Sequence, residues 1–105
     1  MSLFPNEIKL FEDEKQKLRL ECPQNFLIRL VHHLGSKGFQ CSNPKITLKD
    51  KKNVRSLVEF GIEDGVREKA RDSVRDFLIA SKIKFIENSY AHETVFKLVN
   101  ENKQR

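Results

Sequence analysis

Arg67, Arg71 and Arg75 recur every four residues. On an α-helix that spacing aligns three guanidinium groups in one row, where like charges repel and a bound polyanion would relieve the repulsion. Asp64, Glu68 and Asp72 each stand three residues before one of these arginines. The competing reading is therefore a ladder of local ion pairs on a solvated face. A second basic cluster surrounds a turn: Lys45, Lys49, Lys51, Lys52 and Arg55, opposed only by Asp50. A basic hairpin can grip a nucleic-acid backbone. Lysines at a turn or an edge equally keep a strand from pairing with strangers.

The other reactive side chains do not assemble into a reaction centre. Cys22 and Cys41 are isolated, with no CxxC and no His at ligand spacing, so two reduced thiols are expected rather than a bridge or a nucleophile. His32 and His33 are adjacent and would point about 100° apart on a helix, which prevents them from sharing a metal. One half-buried and one solvated histidine is the reading, and His92 stands alone. Glu12-Asp13-Glu14 is an acidic triplet in a solvated segment. P-loop, GxGxxG, HExxH and GxSxG motifs are all missing. The expectation is a chain with no catalytic residues, no metal and no cofactor.

Charge is unevenly placed. Of the net +5 on 105 residues, residues 1–21 contribute −1 and residues 22–105 contribute +6. Such an excess suits an acidic partner or a polyanion, and also plain solubility. The hydrophobic set is 38% and no window of about 18 apolar residues occurs, so no membrane-spanning helix is expected. Residues 1–17 mix acids and bases without an apolar core segment, unlike a secretory leader. An intracellular, cytoplasmic or nuclear, single domain is the expectation.

The elements that must position these groups follow from hydrophobic period. Lys17-Leu18-Arg19-Leu20-Glu21 alternates as a half-buried strand ended by Pro23. Phe26, Leu27, Leu30, Val31 and Leu34 form a helical stripe stopped by Gly35 and Gly38. Ile46 and Leu48 alternate with Thr47 and Lys49, residues 50–53 read as a turn, and Val54, Val58, Phe60 and Ile62 share one parity of a longer strand. Val66, Ala70, Val74, Phe77, Leu78 and Ser81 then follow a 3.6 period behind the acidic pair Glu63-Asp64. Ile83 and Phe85 mark a fourth strand, and residues 90–99 fit a helix or a closing strand. The first segment, with Leu3, Phe4, Ile8, Leu10 and Phe11, reads as a helix over 7–14 capped by Asn6 or as an arm packed on the body. The order β-α-β-β-α-β predicts an α+β domain from residue 17 to 105: a ferredoxin-like antiparallel sheet with two helices on one face. An N-terminal arm over 1–16 and a C-terminal extension from about residue 89 flank it.

Residues 18–62 resemble an ACT regulatory domain. The carrying stretches are Leu18-Arg19-Leu20-Glu21-Cys22-Pro23, Phe26-Leu27-Ile28-Arg29-Leu30 and Leu34-Gly35-Ser36-Lys37-Gly38-Phe39. The resemblance implies a small-molecule-sensing or dimerising module that pairs sheets through edge strands. Gln24-Asn25 stand where amino-acid-binding members carry Gly. Leu57-Val58-Glu59-Phe60 with the charged helix after it is similar to part of an RRM, a fold that stacks RNA bases on sheet aromatics. The aromatic positions fall here on Arg19, Arg55 and Leu57, so that resemblance implies phosphate contact by Arg19 and Arg55 in place of stacking. Acylphosphatase is set aside, because Cys22-Pro23-Gln24-Asn25 lacks its Gly-rich, Arg-bearing loop.

Two functions are expected to compete. The first is a non-enzymatic regulatory or binding module that works by protein–protein contact, as a homodimer or with another protein. The second is a small basic nucleic-acid-binding protein using the 45–55 hairpin with Arg19, Arg55 and the arginine row.

Overall fold

The computed structural model describes residues 6–13, 17–50, 53–61 and 65–99. Eight elements follow in order: β1 (Glu7–Glu12), β2 (Leu18–Pro23), α1 (Gln24–Ser36), β3 (Lys45–Asp50), β4 (Asn53–Phe60), α2 (Val66–Ala80), β5 (Phe85–Ser89) and β6 (Glu93–Leu98). One antiparallel sheet holds the strands in the order β3-β4-β2-β1-β6-β5.

The α+β class, the antiparallel sheet and the two helices are as the periodicity predicts. The sheet has six strands, however, not the four of a βαββαβ plait. The first reason is β1. Residues 7–12 form neither the Asn6-capped helix nor an arm on the body, but a strand paired on both sides. Ile8 and Leu10 are wholly buried and alternate with Glu7, Lys9 and Phe11. A period of two over a segment with a neighbour on each side outweighs a capping signal. The second reason is β6. Residues 93–98 take the closing-strand alternative, with Thr94 and Phe96 buried against β1.

The core lies between one sheet face and the two helices. Leu18, Leu20 and Cys22 of β2 meet Val58 and Phe60 of β4, Ile8 and Leu10 of β1 and Phe96 of β6. Above them lie Leu27, Leu30 and Leu34 of α1 and Ala70, Val74, Phe77 and Leu78 of α2. These spacings of three and four residues bring each stripe to one side of its helix. α1 begins directly after Pro23, whose fixed φ of −57° suits an N-cap position. It ends as Lys37 and Phe39 donate to the Leu34 carbonyl, with Gly38 at φ 96° making the reversal. Phe39 then lies against Phe60 at 5.6 Å. Gly65, at φ 75°, precedes α2.

Two expectations are corrected, one at β3 and one at β5. A bulge between Ile46 and Leu48 pairs Ile46 with Ser56 but Leu48 with Arg55, so the two apolar residues face opposite sides. Both are exposed rather than in the core. The strand expected at Ile83 begins at Phe85. Ile62 and the acidic pair Glu63-Asp64 lie outside the described residues.

Candidate functional site: the arginines, the open face and the two sheet edges

The arginine row faces the sheet's β6-β5 end and is engaged there. Arg75 forms a two-pronged bond with Glu87 of β5, Nε to Oε1 and Nη2 to Oε2, both at 2.8 Å. Its Nη1 lies 3.2 Å from Asp72, the pairing that the three-residue spacing predicts. The Arg75 hydrogen bond is the main force holding the Glu87 carboxyl below the usual carboxylate range, and the same bond raises the Arg75 guanidinium. Arg67 donates to the Tyr90 carbonyl at 2.9 Å and stands 4.0 Å from Glu12 of β1. Arg71, between them, lies 3.6 Å from Asp72, and its buried Nε makes no hydrogen bond. The row thus ties α2 to β1 and the β5–β6 hairpin. Asp64 lies outside the described residues.

Arg19 and Arg55 lie on the opposite, helix-free face. Arg19 bridges Asp13 at 2.7 Å and Glu59 at 2.9 Å, and Lys17 adds a longer contact to Glu59 at 3.9 Å. Arg55 is only 7% exposed, although its strand parity points away from the core. Its Nη2 donates to the Glu7 carbonyl at 2.7 Å, and its Nε lies 3.5 Å from the Glu21 carboxylate. Glu21 also accepts from Thr47 Oγ1 at 2.6 Å.

The geometry of the sheet explains Arg55. Asn6 and Glu12 bond toward β6, so the Glu7 carbonyl points the other way, toward β2. The register that pairs Lys9 with Glu21 puts Glu7 level with Pro23, which has no N–H to offer. Arg55, paired with Pro23 from the far side, supplies the missing donor.

Lys45 and Lys49 lie exposed on β3 and make no ion pair within the described residues. Lys51 and Lys52 lie outside those residues. The seven of the nine singled-out basic residues that are described are therefore not brought together on one surface. Arg67 and Arg75 tie α2 to the β5–β6 hairpin, Arg71 pairs with Asp72 on its own helix, two lie on the open face, and two line the β3 edge.

Burial pushes the Cys22 thiol up to about 12 and also raises Cys41. Both are unbridged thiols. His32 is exposed, whereas His33 is half-buried with its ring 5.6 Å from Phe77. His92 lies 3.7 Å from Glu12. Among the described residues no three His, Cys, Asp or Glu side chains converge as metal ligands. No helix among them is long and apolar enough to cross a membrane.

Two features went unread in the sequence. One is a half-open cleft of about 260 Å³, lined by Lys37, Phe39, Phe60, Val66 and Lys69 between the end of α1 and the start of α2. The other is which strands form the two sheet edges among the described residues. β3 exposes Ile46 (56%) and Leu48 (47%), and β5 exposes Ile86 (53%), with Tyr90 (60%) just beyond it. Each of these strands has a single strand neighbour. The adjacency of Phe85 and Ile86 was the available signal for β5: in a strand, successive side chains point to opposite faces, so one of the two must leave the core side. Comparison with family models, with curated proteins and with solved structures finds no match.

Proposed function

We propose that the chain is a non-enzymatic binding module that acts by protein–protein contact and self-associates through the edge of its sheet. The observation that carries this reading is the pair of edges that are open among the described residues, with Ile46 and Leu48 exposed on β3 and Ile86 on β5. An edge strand is a template for another strand, and a second copy of the same chain is its most available partner. The ACT-like stretch over residues 18–62 points the same way. Sedimentation velocity over a rising concentration series tests it. A sedimentation coefficient that climbs from monomer to a larger closed species is expected. A monomer at high micromolar concentration sinks the reading.

A second reading, polyanion binding by the 45–55 hairpin, is favoured by one observation: Lys45 and Lys49 are exposed and make no ion pair among the described residues. It requires nucleic-acid affinity that falls steeply with salt and is lost when Lys49, Lys51 and Lys52 are all changed to Glu. A triple variant that still shifts nucleic acid like the parent removes it.

A further inference from the structure

Resting on the self-association reading, we infer that the pairing edge is β5 and that a two-fold axis passes beside Ile86, joining two copies into one twelve-stranded antiparallel sheet. The two edges are not equivalent. β3 carries three features that discourage strand addition: a bulge at Thr47 and exposed lysines at 45 and 49. β5 carries none of them. Its five residues Phe-Ile-Glu-Asn-Ser contain no lysine and no proline, and they pair with β6 without a register shift.

The backbone of β5 is also poised for a partner. Tyr90 donates to the Glu93 carbonyl and Val99 donates to the Lys84 carbonyl, so the even-numbered residues of β5 face β6. The N–H and C=O groups of Phe85, Glu87 and Ser89 therefore point to the outer side, where no strand lies among the described residues. Of the antiparallel registers that use these groups, two centre on the middle of the strand, at Glu87 or at Ile86. Centring the axis on Glu87 sets that carboxylate against its own copy. Centring it on Ile86 pairs Phe85 with Glu87 of the copy in both directions and removes the like-charge contact. It also makes Ile86 opposite Ile86 a non-hydrogen-bonded pair, the closer of the two kinds, on the helix-free face.

In that register the exposed isoleucine meets an apolar partner, and Lys84 stands level with Asn88 of the copy rather than with another cation. Glu87 keeps its two bonds to Arg75, which hold the β5 carboxylate neutralised at the seam. Both helix layers come to lie on the same side of the joint sheet, because the axis runs perpendicular to it.

The test combines sedimentation with cross-linking in the full chain. Ile86→Lys sets two ammonium groups across the axis and is expected to weaken the dimer about tenfold or more. Ile86 is half exposed, so the variant should keep its helix and sheet signals by circular dichroism. The double variant Ile46→Lys/Leu48→Lys should dimerise like the parent. Opposed Cβ atoms in such a pair lie about 4.5–5.5 Å apart. Ile86→Cys, in a Cys41→Ser background, should therefore form an intermolecular disulfide under mild oxidant, and Leu48→Cys should not. A dimer that survives Ile86→Lys and is lost in the β3 double variant overturns the β5 assignment while leaving edge association standing. Assembly into ever larger species shows β3-to-β5 joining and overturns the two-fold. A parent chain that stays monomeric removes both the assignment and the reading beneath it.

Discussion

Pro23 leaves the Glu7 carbonyl without a strand donor, and a guanidinium from the next strand over fills the gap. Truncating Arg55 to Ala would orphan that carbonyl and weaken the charge balance at Glu21, at a cost of about 2–3 kcal/mol. The same change in a Pro23→Ala background, where an N–H is restored opposite Glu7, should cost about 1 kcal/mol less. Urea unfolding of the four chains of that cycle measures the coupling, and equal costs in both backgrounds would refute the donor role. Lys82 is a second residue under local constraint. It sits at φ 61°, a left-handed conformation that costs a side-chain-bearing residue about 1 kcal/mol. Lys82→Gly should raise the unfolding midpoint, and an unchanged or lower midpoint would refute the strain.

At the scale of elements, α2 is fastened to the β5–β6 hairpin by the Arg75–Glu87 pair, with Arg67 on the Tyr90 carbonyl a little over two turns away. Glu87 titrates below its ordinary range in the folded chain. Its contribution is whole above the ordinary glutamate value and is lost as acid carries the pH down through the depressed folded value. Glu87→Gln should lower stability by about 1 kcal/mol at neutral pH, allowing for the partial exposure of both partners. It should also flatten part of the acid limb, as read from urea midpoints against pH. Most of this layer was legible in the chain: the α1 stripe Leu27, Leu30, Leu34 and the α2 stripe Ala70, Val74, Phe77, Leu78 fall where the 3.6 period puts them. β1 was not, because six residues beginning after Pro5-Asn6 satisfy a capped helix and an alternating strand almost equally. Nor was the β3 bulge, since one inserted residue changes facing without changing composition. The engagement of the arginine row was half legible. Asp72 stands in sequence beside Arg75, but Glu87 and the Tyr90 carbonyl reach the row only through the crossover from β4 to β5.

For the molecule as a whole, the place of β1 decides what the sheet is. It lies between β2 and β6, so among the described strands it is what joins the β3-β4-β2 half of the sheet to the β6-β5 half. Removing residues 1–12 should therefore abolish cooperative unfolding, whereas an N-terminal arm could be trimmed at little cost. Calorimetry that still shows one sharp transition in the truncated chain would contradict this. Association through the β5 edge, whose one carboxylate is already paired with Arg75, should also change little from low to high salt, in contrast to polyanion binding. The place of β1 has a further consequence for a chain emerging from the ribosome. Its hairpin with β2 can close early, but its other flank waits for β6, whose residues follow more than eighty positions later. At about 5–20 residues per second that flank stays bare for several seconds, so the nascent half-sheet is where a holdase, or a neighbouring unfinished chain, would first take hold.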